Sequence, residues 1–168
     1  MKRLLALVPL IIAGLALTSC GPRETTYTAS GAFTFTIPAG FTAITQNGEP
    51  FPIFVDDPSN YTAYMQIASN DNTGSLQEFV KNEMQGFQGS SELSNIAYPE
   101  SGTITTENGI KGARILMTFD SAKGHMEMAA YYFQKPGQIE VLHAFCYAQE
   151  ATHFLPLFDE SAASLVLK

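Results

Sequence analysis

Cys146 and His143, in the run VLHAFCYA, are the side chains best suited by type to nucleophilic catalysis. A thiol attacks as the thiolate, and a histidine within hydrogen-bond reach is what generates it. Three residues apart on a strand, however, the two point to opposite faces, which argues for a buried, inert thiol. His125, His143 and His153 are the available nitrogen ligands for a metal, but no HxH or HExxH spacing brings two of them together. NDNTG (70–74) resembles the opening of a calcium loop. Its twelfth position counted from Asp71 is Asn82 rather than glutamate, so the bidentate ligand is missing and a turn is the better reading. Asp56-Asp57-Pro58 pairs two carboxylates in a context that marks a turn. No GxSxG, SxxK or phosphate-loop sequence occurs. The sequence therefore predicts a non-enzymatic chain, with no catalytic residues, no metal ligands and no cofactor.

The aromatic residues offer recognition rather than reaction. Tyr61, Tyr64, Tyr131, Tyr132, Phe133 and Tyr147, together with Phe51 and Phe54, are many for a small domain. Tyrosine is enriched at protein interfaces, which makes Tyr131 and Tyr132 the candidate partner-binding residues. The same pair, or the histidines, could instead line a pocket for a small molecule or metal, and aromatics also favour strands simply for packing. With 9 Lys and Arg against 16 Asp and Glu, the net charge of -7 gives no basic patch for nucleic acid.

These side chains must be placed by a framework that the hydrophobic pattern outlines. Phe33, Phe35 and Ile37 alternate with threonines, as a half-buried strand requires, and residues 41–44 can start a second. Asn47-Gly48 marks a turn. Pro50 and Pro52 are expected to confine any strand in PFPIFVDDP to an edge. Residues 61–69 alternate again, with Tyr61, Ala63, Met65 and Ile67 on one side. Ser75 and Glu78 form the signature of a helix start, followed by Leu76, Phe79, Val80, Met84 and Phe87 at helical spacing and Gly86 and Gly89 at the end. Residues 90–99 show no clear period. Asn108-Gly109 predicts a hairpin between 102–106 and 110–119. Strands follow over 126–134 and 139–148, joined by Lys135-Pro136-Gly137-Gln138. The last is apolar on both faces, which predicts a central, doubly covered strand. Residues 151–167 read as a closing helix, with Phe154, Leu157, Phe158, Ala162 and Leu165 as its stripe and Pro156 in its first turn.

The N-terminus has a different build. Lys2 and Arg3 precede an apolar run that ends in small residues, the construction of a secretory signal, and the run is too short for a bilayer span of roughly 20 residues. Leu17-Thr18-Ser19-Cys20 resembles the lipobox of bacterial lipoproteins. That resemblance implies cleavage before Cys20, with diacylglycerol on its thiol and acylation of its new amino group. Two or three chains anchor stably, at about 0.8 kcal/mol per buried methylene. The absence of Asp at position 21 leans, by the same resemblance, towards the periplasmic face of the outer membrane in a Gram-negative host. Loss of Lys2 and Arg3 with the signal makes the mature chain still more acidic. The predicted organisation is a signal peptide over 1–19, a lipidated N-terminus and tether over 20–31, and one domain over 32–168. If Cys20 is lipidated, Cys146 has no partner for a disulfide within the chain.

The order of elements carries a second resemblance. FTIPAGF (35–41), the helix entered at Ser75, the Asn108-Gly109 hairpin, the KPGQ turn and a C-terminal helix ending ESAASLVL resemble the PsbP-like fold, which photosystem II accessory proteins share with DcrB-like and LpqN-like lipoproteins. It implies an α+β domain, an antiparallel sheet flanked by helices, and the role of an accessory domain. The functional expectation is thus a membrane-anchored envelope lipoprotein that binds a protein partner without catalysis, or alternatively a small-molecule or metal-binding module.

Overall fold

The computed structural model describes residues 25–29, 33–44, 53–72 and 74–168. The signal segment 1–19, Cys20, Asn47-Gly48, Pro50, Phe51 and Pro52 lie outside them.

Among the described residues, ten strands and two α-helices follow in the order β1 (Thr25–Ala29), β2 (Phe33–Ile37), β3 (Thr42–Ile44), β4 (Ile53–Val55), β5 (Ala63–Asp71), α1 (Leu76–Gln88), β6 (Ser94–Thr105), β7 (Lys111–Ser121), β8 (Gly124–Lys135), β9 (Gln138–Tyr147), α2 (Ala151–Ala163) and β10 (Val166–Leu167). Seven strands make one antiparallel sheet in the order β3-β4-β5-β9-β8-β7-β6, and β1-β2-β10 make a smaller one. One face of the large sheet packs against α2 and the small sheet. There Phe54, Met65, Tyr131, Leu142 and Cys146 meet Phe33, Phe35, Phe154 and Phe158. Its other face carries Met117, Met128, Tyr132, Val141 and Phe145, and α1 covers part of it. β9 is therefore central and covered on both sides, as its two apolar faces predict.

Local chemistry sets the boundaries. The Ser75 hydroxyl accepts from the Glu78 amide at 3.1 Å and caps α1. Asn72, in the segment resembling a calcium loop, accepts from the Gly74 amide instead. Gly109 and Gly137 take positive φ at the two predicted turns. Glu140, fully buried, is neutralised by Lys135 at 3.1 Å and accepts from the Ser69 hydroxyl.

Four expectations need correction. Part of the tether is structured: Thr25–Ala29 pairs antiparallel with β2, and Tyr27 packs on Phe33, Phe35 and Phe54. β4 is not an edge strand, because it pairs with both β3 and β5. The prolines precede it in sequence and remove none of its donors. The closing helix stops at Ala163, and Val166–Leu167 returns as β10 beside β2. Pro156 lies inside α2 rather than in its first turn. The Thr152 carbonyl, which would have received the missing N–H, belongs to an exposed turn that water can reach.

Candidate functional site

α1 is shorter than the face it covers. Its last turn ends at Gln88, with the Gly89 amide donating back to Gln85 O, while the sheet beneath continues. The register places Tyr64 of β5 opposite Phe145 of β9, and Phe145 opposite Met128 of β8. Alternation then brings Met117 and Phe119 of β7 and Met126 of β8 to the same face, beyond the helix end. The result is a groove of about 750 Å3. Met117, Phe119, Met126 and Phe145 form its floor, and Tyr64, Phe87 and Leu93 its walls. Tyr64 and Phe145 stack with centroids 4.5 Å apart.

The rim is polar, with Ser90, Glu92, Ser121 and Lys123. Lys123, in the β7–β8 turn, donates to the Tyr61 hydroxyl at 2.8 Å. Its ammonium lies 4.2 Å from the Tyr61 ring centroid and 6.0 Å from that of Tyr64, within cation–π range. Burial, and then the charge of Tyr61, push the Tyr64 phenol up to about 12, so it remains a neutral wall. Sequence reasoning missed Lys123, since its role depends on where α1 stops over the sheet.

A polar cluster lies under α1, next to the groove. His143 Nε2 is 3.4 Å from Glu83 Oε1, and the imidazole meets Phe87, Tyr132 and Phe145 edge-on. Burial pushes the Glu83 carboxyl up, but the hydrogen bond and charge of His143 outweigh it, and the group ends below its ordinary value. Burial and the Glu83 charge push the Tyr132 phenol far up. A depressed carboxyl stabilises the fold fully above its unfolded value of 4.5, and that contribution is lost as pH falls through the folded value. Asp120, lowered by Asn95 and His125, acts with the same sign, so a difference measurement is needed. Urea midpoints followed from neutral pH to pH about 3 should fall more steeply for the native chain than for Glu83→Gln. Parallel curves would show that the pair does not help hold α1.

The structure separates most of the side chains that the sequence singled out. Tyr131 and Tyr132 are both fully buried, so neither can belong to an exposed partner surface. They are neighbours on a doubly covered strand and point into opposite cores. The Tyr131 hydroxyl donates to Asp159 at 2.8 Å, and the Arg114 guanidinium grips the same carboxylate at 2.7 and 3.2 Å, tying α2 to the sheet. Cys146 lies in the α2-side core while His143 faces α1, so they form no dyad. Burial, then Glu127 and Glu150, raise the thiol to about 12, far from a nucleophile's range. His125 pairs with Asp120 at 2.7 Å in an exposed hairpin, and His153 sits on the outer side of α2 against Phe154. Among the described residues no three His, Cys, Asp or Glu side chains are grouped as a metal ion would require. The Asp56 carboxylate accepts from the Thr62 and Ala63 amides, which is the turn role expected of it.

No protein-family model and no curated protein matches the chain. The fold is that of several solved structures. Cyanobacterial PsbP (CyanoP) from Synechocystis sp. PCC 6803 superposes with a TM-score of 0.63 at 14% identity, over 90% of this chain and 99% of that one. The Saccharomyces cerevisiae Ran-binding protein Mog1p gives 0.59 at 11% identity, over 86% and 95%. LpqN of Mycobacterium tuberculosis, described as involved in cell envelope biogenesis, gives 0.57 at 11% identity, over 87% and 91%. The chain has an α+β, PsbP-like fold.

Proposed function

We propose that this chain is a lipid-anchored, non-catalytic binding domain of the bacterial cell envelope, and that its ligand occupies the groove at the end of α1. The carrying observation is the groove: about 750 Å3, floored by four apolar side chains and rimmed by a tyrosine-held lysine. Ligand sites typically measure about 300–1,000 Å3 and combine apolar walls with a few placed polar groups. Attachment through Cys20 follows from the sequence alone. It places the domain at the membrane surface, on the periplasmic face of the outer membrane in a Gram-negative host. The cell-envelope role stated for LpqN accords with that location.

A protein partner is the second reading. The Ran-binding activity stated for Mog1p favours it, because a domain of this shape there serves protein recognition. Methionines and aromatics in one groove also suit an inserted side chain. With Tyr131 and Tyr132 buried, the aromatic surface left to such a partner includes the groove and its Tyr61–Lys123 rim.

Ala122→Trp tests both readings. Ala122 is exposed, lines the groove and makes no side-chain hydrogen bond, so an indole there obstructs the groove without entering the core. Chain purified from gently solubilised membranes at native expression should carry a bound small molecule that the variant lacks, seen by native mass spectrometry. A stoichiometric protein lost with the same substitution would select the second reading. Identical, empty preparations would contradict both.

A further inference from the structure

The geometry points to a single-chain amphiphile with an anionic head group as the ligand of this groove: its hydrocarbon over Phe119, Met126 and Phe145, its head on Lys123. This rests on the groove being the binding site.

The floor cannot hydrogen-bond. Met117, Phe119, Met126 and Phe145 present only hydrocarbon and thioether, so the body of the ligand must be apolar. Methionine adapts its shape to a flexible chain. The groove is open along the surface, which suits a molecule that keeps one end in water. At that end, Lys123 has no carboxylate partner within salt-bridge distance among the described residues; its contacts are the Tyr61 hydroxyl and two ring faces. An ammonium held this way keeps two protons free for an oxyanion. Glu92 also reaches the rim, but it is exposed, and only its backbone amide is fixed, by the Ser90 hydroxyl at 3.3 Å. The positioned charge at the mouth is therefore positive, in a chain whose net charge is -7. That local charge favours carboxylate, sulfate or phosphate heads over ammonium ones, against the net negative field of the chain. Free fatty acids and acidic single-chain lipids share this chemistry.

The test uses the full lipidated chain in nanodiscs and a neutral tracer, decanol carrying a diazirine, so that groove occupancy is read independently of head-group charge. Photolabelled peptides should contain Phe119 or Met126, and Ala122→Trp should abolish that labelling. Octanoate should then displace the tracer about fivefold better than octanol, as one rim ion pair allows, and far better than octyltrimethylammonium. Lys123→Gln should erase the octanoate preference over octanol, each competitor being measured against that variant's own tracer labelling. Decanoate should compete better than octanoate by about threefold to fourfold per methylene. Groove labelling displaced equally by octanoate and octanol, or best by the ammonium, would overturn the anionic head and leave the groove as the site. Labelling outside the groove, or unaffected by Ala122→Trp, would overturn both.

Discussion

Gly112→Ala should cost about 3 kcal/mol of stability, a large share of what a domain of this size possesses. Gly112 pairs with Phe133 across β7 and β8. A Cβ built there would lie 2.5 Å from the Tyr132 carbonyl oxygen and 2.6 Å from Phe133 Cδ1. Neither neighbour can yield cheaply. The carbonyl belongs to a central strand, and Phe133 is fully buried in the α2-side core. The absent side chain is what lets the two strands and the ring fit together. Gly102 provides the control on the adjoining strand. It pairs with Arg114, and a Cβ there would meet nothing within 4 Å. Gly102→Ala should therefore stay within about 0.5 kcal/mol of the native chain. Urea unfolding of the two variants measures the difference. Equal midpoints would mean that β7 and β8 do not pack as described.

Cys20→Ala should remove lipid from the chain completely. If Leu17-Thr18-Ser19-Cys20 is a lipobox, the mature chain begins at Cys20 and carries diacylglycerol on the only thiol that can accept it, since Cys146 is buried. Intact mass of the native chain should show an N-terminus at position 20 with the added lipid. Metabolic labelling with an alkynyl palmitate should mark the native chain and not the variant. A native chain that starts elsewhere and takes no label would remove the anchor from the account. The groove and its ligand would stand without it.

Much of the scaffold was legible where burial is one-sided or complete, because those positions follow a strict period. Phe33, Phe35 and Ile37 alternate and are all buried, and the two faces of β9 divide between the two cores as their apolar character predicts. Asn108-Gly109 and Ser75 act through local backbone chemistry, so they too read directly. Elements that depend on a neighbour did not. β6 begins at Ser94, inside a stretch without period, because it is an exposed edge strand with two register irregularities. β1 has a polar sequence, and its described inward contacts come from Tyr27 against three phenylalanines.

The site was less legible than the scaffold. Tyr131 and Tyr132 read as an aromatic pair in the sequence, but adjacency on a strand sends one to each face, and both faces here are covered. Burial of the pair was visible only once α1 and α2 were placed. Tyr61, by contrast, is 39% exposed and holds Lys123. The groove exists because a helix of 13 residues ends before the sheet beneath it does. That is a relation between two elements, and neither stretch of sequence carries it alone.

The central claim is that the groove holds a ligand, and methyl NMR of the full chain labelled at its methionines tests it directly. Met117 and Met126 lie on the groove floor, whereas Met65 sits in the opposite core. On titration with octanoate or octanol, the Met117 and Met126 methyl signals should shift together and saturate, while Met65 stays still. Groove signals that do not move, or a Met65 shift of equal size, would contradict the account.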